Sequence, residues 1–318
     1  MKVRLGYVAI ALNLGKVTSS STVTYSRYLK MNDNERLEKL KEVTYSNLQA
    51  LEEILKYNIN HNIHFYRLTS HLIPLATHPE VMWNYKQYFK KDFEHIGKII
   101  KSSNMRFDCH PDQFNVINST KESVVKSTLI NLNTAVDIFE LLDCKDGKMV
   151  MHIGGSQGGK EESIKRFIDN FRSFPLRIQE RLILENDDKI FTAKDVLRIC
   201  NEIKIPMVLD IHHHHCKSDN ENIGDLIVDI FNTWDSEKLP PKVHFSTPKE
   251  FENDRKHADY INPNDFIKFI GLVKSKVDKD FDVMIEAKKK DQALFKLIED
   301  LKMINKGIKF IDDTTFEL

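Results

Sequence analysis

Eight short apolar, β-branched runs recur along the chain, and helical patterns separate them. The runs are VRLGYVAI (3–10), HFYRLTS (64–70), MRFDCHP (105–111), MVMHIG (149–154), RLILEND (181–187), PMVLDIHH (206–213), KVHFST (242–247) and DVMIEAK (282–288). The amphipathic stretches begin with 32–58, where Leu37, Leu40, Leu48, Leu51 and Leu55 mark one face. Others cover 91–104, 127–142, 161–174, 192–204, 262–276 and 292–305. Strands with little polar alternation are buried on both faces. Each helical stretch is long enough to cross over between parallel neighbours. Eight such units in succession favour a closed (β/α)8 TIM barrel, one domain over 1–318, above an open doubly wound sheet. A length of 318 residues suits that fold.

The residue at which each run stops carries the chemistry. His71, His110, His152, Glu185, Asp210, His244 and Glu286 stand at or just past apolar strands, His213 follows Asp210 by three, and His257 sits in the loop after His244. In a barrel these ends share one rim, where active sites form. Six imidazoles and three carboxylates crowded together would repel one another when protonated. Divalent cations resolve the conflict, because neutral imidazole and carboxylate are both good ligands. Nine ligands exceed one ion's needs and suit three, with a carboxylate bridging and water filling open positions. No cysteine joins the set, which argues against a closed structural zinc site, and zinc and manganese both remain open. His61, His64, His78 and His95 fall outside the pattern and are expected to be ordinary hydrogen-bonded residues. In the tract His212–His215 only His213 is placed in the set; the others are expected beside it or facing solvent.

Lys242 lies two residues before His244, on the same face of a strand. Aimed into such a rim, it needs an anion: a phosphate, or a modification that makes it a ligand itself. The plainer alternative is a lysine snorkelling from the strand start. The segment GGSQGGKE (154–161) nearly spells a phosphate-binding loop, but Glu161 stands where a hydroxyl should hold magnesium. No nucleotide cofactor is expected, and the segment is read as a flexible βα loop.

Lys+Arg 47 equals Asp+Glu 47, so no global field attracts a polyanion, and any nucleic-acid contact must use a local basic patch. Candidates are Arg67, Lys160 and the run Lys288–Lys290. No run of 18 apolar residues exists, and Gly6 and Asn13 break the N-terminal apolar run, so neither a membrane span nor a signal sequence is expected. Cys109, Cys144, Cys200 and Cys216 lack paired spacing, which suits reduced thiols in the cytoplasm.

Tyr7, Asn13, DCHPDQF (108–114), MHIGG (151–155), LEND (184–187), LDIHHH (209–214), KVHFS (242–246), HADYI (257–261) and MIEAKKKDQA (284–293) together resemble the UV damage endonucleases. The resemblance covers almost the whole chain. It implies a TIM barrel with three divalent ions, commonly manganese, with zinc or magnesium as alternatives. It implies an endonuclease that nicks double-stranded DNA immediately 5′ to a UV photoproduct and leaves a 3′-hydroxyl and a 5′-phosphate. The nine ligand candidates match the family's metal ligands, and Lys242 its active-site lysine, with Glu185 and Tyr7 also in the catalytic set. Gln113 and Phe114 match a pair that fills the space of extruded bases. Phe114 departs from the more usual tyrosine, so its ring can stack but brings no hydroxyl. Tyr7 and Asn13 match residues near the scissile strand. The protein is expected to act as a monomer on damaged DNA.

The chemistry of the residues agrees with this. A phosphodiester is anionic and slow to hydrolyse, and clustered cations answer both difficulties. A damaged, poorly stacked dinucleotide is easier to flip out than an intact one. Two other readings stand beside it. A sugar isomerase or epimerase on a similar barrel would use fewer metals and more carboxylates. A non-catalytic damage-binding protein would bind lesions even under chelation and never cut.

Overall fold

The computed structural model describes residues 1–304 and 307–318, so Asn305, the end of the last expected helix, lies outside the described residues. Eight strands form in the eight apolar runs, within a residue of them at their starts: β1 (Lys2–Tyr7), β2 (Phe65–Leu68), β3 (Arg106–Cys109), β4 (Lys148–Met151), β5 (Leu182–Glu185), β6 (Met207–Asp210), β7 (Lys242–Phe245) and β8 (Phe281–Ile285). From β2 to β8 each strand pairs parallel with the next, and β8 pairs parallel with β1. Every residue of β2 to β8 is buried, as a sheet covered on both faces requires. The outer layer is helical. Its longest member, Asp33–Asn60, starts with a capping box in which Asn32 and Glu35 satisfy each other's backbone N–H groups. The helix Ala193–Ile203 starts the same way with Thr192 and Asp195. The molecule is a (β/α)8 barrel.

The pleat alternates side chains between the helical layer and the barrel axis. Outward residues such as Leu182, Leu184, Met207 and Leu209 join the large apolar core under the helices, while Val150, Ile183, Val208 and Trp234 form a separate small cluster. The remaining buried residues on the alternate face are largely charged. Arg106 donates to Asp282 at 2.9 Å, Arg4 forks onto the same carboxylate at 2.6 and 2.9 Å, and Lys242 pairs with Asp108. The usual filling of this fold is branched aliphatic. Here a column of alternating charge leads up to the rim.

A C-terminal hairpin, β9 (Lys309–Phe310) and β10 (Thr315–Glu317), was not legible in the sequence. β10 pairs antiparallel with β1, Val3 opposite Phe316, and so occupies the edge that β1 would otherwise offer to β2. The rest of that seam is closed by side chains. The Phe65 ring lies so near Gly6 that a Cβ there would fall 2.5 Å from it. Above it, the Tyr66 hydroxyl donates to the Ala9 carbonyl at 2.8 Å.

Two expectations need correction. The run 206–213 is not strand throughout: β6 ends at Asp210, whose carboxylate accepts the His213 N–H at 2.8 Å and caps a short helix, Ile211–Cys216. The histidine tract is therefore helical. The glycine-rich loop is also tied down rather than loose. Asn118 donates to the Gly155 carbonyl at 2.6 Å and Arg166 to that of Gln157 at 2.7 Å. Gly154 has φ of 110°, and an added Cβ would fall 2.5 Å from the Asn118 side-chain Oδ1. No helix among the described residues is long and apolar enough to cross a membrane.

Candidate metal centre and nucleic-acid interface

Because β3 to β8 end at one height with like phase, their last inward residues converge. His110, His152 and Glu185 present ligand atoms within 4.8 Å of one another; so do Glu185, Asp210 and His213, and so do Asp210, His244 and Glu286. Glu185 belongs to the first two groups and Asp210 to the last two, so seven residues form one connected chain. Glu185 sits at its centre. One oxygen lies 2.8 Å from His244 Nδ1 and 3.6 Å from His213 Nδ1, the other 3.3 Å from His110 Nε2 and 3.8 Å from His152 Nε2.

Burial would raise the Glu185 pKa, but His244, His152 and His110 outweigh it and hold the carboxyl well below its usual range. Asp210 goes the other way, pushed up to about 8 by burial and by Glu185 and Glu286 nearby, against the pull of His213. Burial lowers His152 and His244 despite Glu185 beside both. His213, buried yet close to Asp210 and Glu185, is raised to about 9. Asp210 Oδ2 and His152 Nδ1 are buried with no hydrogen-bond partner. Orphaned lone pairs, shared carboxylates and imidazoles pushed toward the neutral form, as at His152 and His244, are what a divalent ion takes up, and the residues fit such ions.

Two of the nine candidates lie outside these groups, although the His257 ring lies against the Glu286 backbone. His71 is half-exposed, its Nε2 3.9 Å from Asp112. His257 packs edge-on against His212, ring centres 4.9 Å apart. Both come from segments outside the barrel strands, His71 from a loop and His257 from an isolated antiparallel bridge to Pro248. His61, His64, His78 and His95 are engaged elsewhere, His64 with Asp312 at 2.7 Å and His95 with Glu52 at 3.2 Å.

Lys242 lies a layer below the rim and is fully buried; its anion is Asp108, also buried. Burial drags the lysine down to about 8 and Asp108 opposes this. Asp108 carries no metal-ligand pattern of its own, but its position two before His110 puts it on the inward face. Asp108→Ala leaves an unpaired buried ammonium and should cost about 3–5 kcal/mol in urea unfolding. Adding Lys242→Met should restore most of that stability; a single variant as stable as the parent would show that the pair is unimportant.

Arg67, expected as a DNA contact, is instead buried against Glu286 and 3.2 Å from His244 Nε2. That guanidinium, acting against burial, holds Glu286 well below its usual pKa. Tyr7 is likewise enclosed, its hydroxyl donating to Asn58 at 2.7 Å. Lys160 pairs with Asp195 at 2.7 Å. Asn13 is exposed beside the rim, donating to the Tyr57 hydroxyl and accepting from Gln292, both at 3.1 Å. Gln113 is exposed and Phe114 is 75% exposed on the loop after β3. Next to them a cavity of about 440 Å³ opens between the β2 and β3 loops, lined in part by His71, Pro74, Asp112, Phe114 and Asn131.

Residues 3–316 match the family model described as UV-endonuclease UvdE. The chain belongs to that family. A UV DNA damage endonuclease of Bacillus mycoides (strain KBAB4) is 39% identical over 318 residues, all of both chains. The crystal structure of SacUVDE is 36% identical to this UvdE-family chain, covers 96% of it and 99% of its own length, and superposes with a TM-score of 0.84. A 3-keto-D-glucoside 4-epimerase from E. coli, 13% identical over 80% of this chain and 94% of its own, reaches only 0.54. That is a likeness of barrel alone.

Proposed function

We propose that this member of the UvdE family is a metal-dependent DNA-repair endonuclease, nicking immediately 5′ to UV photoproducts and leaving 3′-hydroxyl and 5′-phosphate ends. The observation that carries this is the connected set from His110 to Glu286, with Glu185 and Asp210 each shared between two groups. Three divalent ions, manganese foremost, fit that sharing, with His71 and His257 completing the set from outside the barrel strands. Ions so held supply the positive charge that lets a phosphodiester be attacked and its leaving oxygen depart.

The protein's own residues do the rest. Glu185, ionised and rigidly surrounded, fixes four imidazoles in place. Arg67 holds the His244 ring at 3.2 Å, and Lys242 keeps its place in the catalytic set through its pair with Asp108, a layer below the rim. Tyr7 braces the β1 end through Asn58, which sets where Asn13 meets the scissile strand. Gln113 and Phe114 enter the duplex at the lesion, Gln113 offering hydrogen bonds and Phe114 a stacking face. The neighbouring cavity has room for extruded bases. Lys160 contributes a phosphate contact from the glycine-rich loop once it leaves Asp195. The substrate is double-stranded damaged DNA and the working unit a monomer.

Irradiated supercoiled plasmid should be nicked, unirradiated plasmid spared, chelator should stop cutting, and added manganese should restore it. Absence of nicking in manganese, or cutting that ignores the chelator, would end this reading. Sugar conversion without nicking would favour the epimerase alternative.

A further inference from the structure

The chain carries 47 Asp+Glu, yet the first of them is Asp33. The segment 8–32 between β1 and the first long helix therefore holds Lys16, Arg27 and Lys30 with no carboxylate, in a protein of zero net charge. It leaves the rim end of β1 and is fixed in place. Asn47, buried in the helix Asp33–Asn60, accepts from the Ser21 N–H and donates to the Ser21 carbonyl, both at 2.9 Å. The same amide donates to the Leu72 carbonyl at 2.9 Å, tying the segment to the loop after β2. Thr22 lines the cavity beside Phe114. Lys16, Arg27 and Lys30 are exposed, and none lies within 4 Å of a carboxylate among the described residues. Beside it on the rim, after β8, Lys288 and Lys289 are pinned by backbone bonds to the carbonyls of Ala258 and Asp259.

We propose that residues 8–32 are a phosphate-gripping arm: Lys16, Arg27 and Lys30 hold the DNA backbone beside the cavity, continuing the line begun by Lys288 and Lys289. The proposal rests on the endonuclease reading and adds to it where the duplex lies. Acid-free sequence keeps the arm from neutralising itself, and the carboxylates that do touch it, Asp291 at the Leu12 and Asn13 N–H groups and Glu80 at the Tyr25 hydroxyl, are taken up by uncharged donors. Thr18, Ser20, Ser21 and Thr22, none of them buried, add short hydroxyl donors that suit phosphate oxygens. Such contacts position DNA without reading sequence or damage, so their loss should weaken intact and lesion-bearing duplex alike.

The experiment is a salt titration of binding, using a labelled duplex with one defined photoproduct and the same duplex intact. The triple variant K16Q/R27Q/K30Q should flatten the plot of log affinity against log salt by roughly 2–3, since each phosphate neutralised contributes about 0.9 to the slope. Affinity for both duplexes should fall by the same factor, and the damaged-to-intact ratio should hold. The variant K16R/R27K/K30R should keep the parental slope. An unchanged slope in the glutamine variant, with the parent still nicking irradiated DNA, overturns the arm alone. A parent that neither binds nor cuts DNA overturns both the arm and the function it rests on.

Discussion

Glu185→Gln should abolish nicking while leaving affinity for damaged DNA within a few-fold of the parent. The carboxylate is 2% exposed and faces four imidazoles, so the amide keeps shape and volume but not the charge. One lone-pair oxygen becomes an NH2 group turned toward a ring nitrogen. Two of the three ligand groups lose their shared member. Loss of an outer partner of a metal site already costs about 10–100-fold, and loss of a shared inner carboxylate should exceed that. Bound metal, measured by elemental analysis, should drop together with the rate. Gln113, Phe114 and Lys16 lie on other loops and are untouched by the change, so binding should survive. Parental cutting rates in this variant would remove Glu185 from the centre.

The part of this site that the sequence revealed is the part the strands enforce. An apolar run that ends in a histidine or carboxylate fixes both height and phase, so His110, His152, Glu185, Asp210, His244 and Glu286 meet without further information. His213 joins because Asp210 caps the helix that carries it, a local signal in the three-residue spacing. His71 and His257 had the same chemistry but lie outside the barrel strands, where direction depends on packing that no periodicity encodes. Arg67 was misjudged as surface because arginine usually is. Its place two residues after Phe65 put it on the inward face, and Glu286 opposite gives it a partner. The hairpin β9–β10 escaped because two- and three-residue strands carry no period, and its register depends on the free edge of β1.

Gln113→Ala combined with Phe114→Ala should erase most of the preference for damaged over intact duplex. Phe114 is 75% exposed, a position where truncation removes almost no packing, so stability should stay within about 0.5 kcal/mol. The turn beneath it persists without the ring: the Phe114 N–H donates to Asp112 Oδ1 at 3.1 Å, and the Asn115 N–H to the Asp112 carbonyl at 2.9 Å. Stacking of an aromatic ring on a base is worth about 1–3 kcal/mol, roughly a 5- to 150-fold change in affinity. That stacking is realised only where bases have left the helix, which a lesion makes easier. The loss should therefore fall on the damaged duplex and leave the intact one nearly untouched, opposite to the uniform weakening expected from the arm. If the double variant retains the parental damaged-to-intact ratio, discrimination resides elsewhere on the rim. Phe114→Tyr should alter the ratio little, because the stacking face is unchanged and the added hydroxyl projects from a ring that already stands in water.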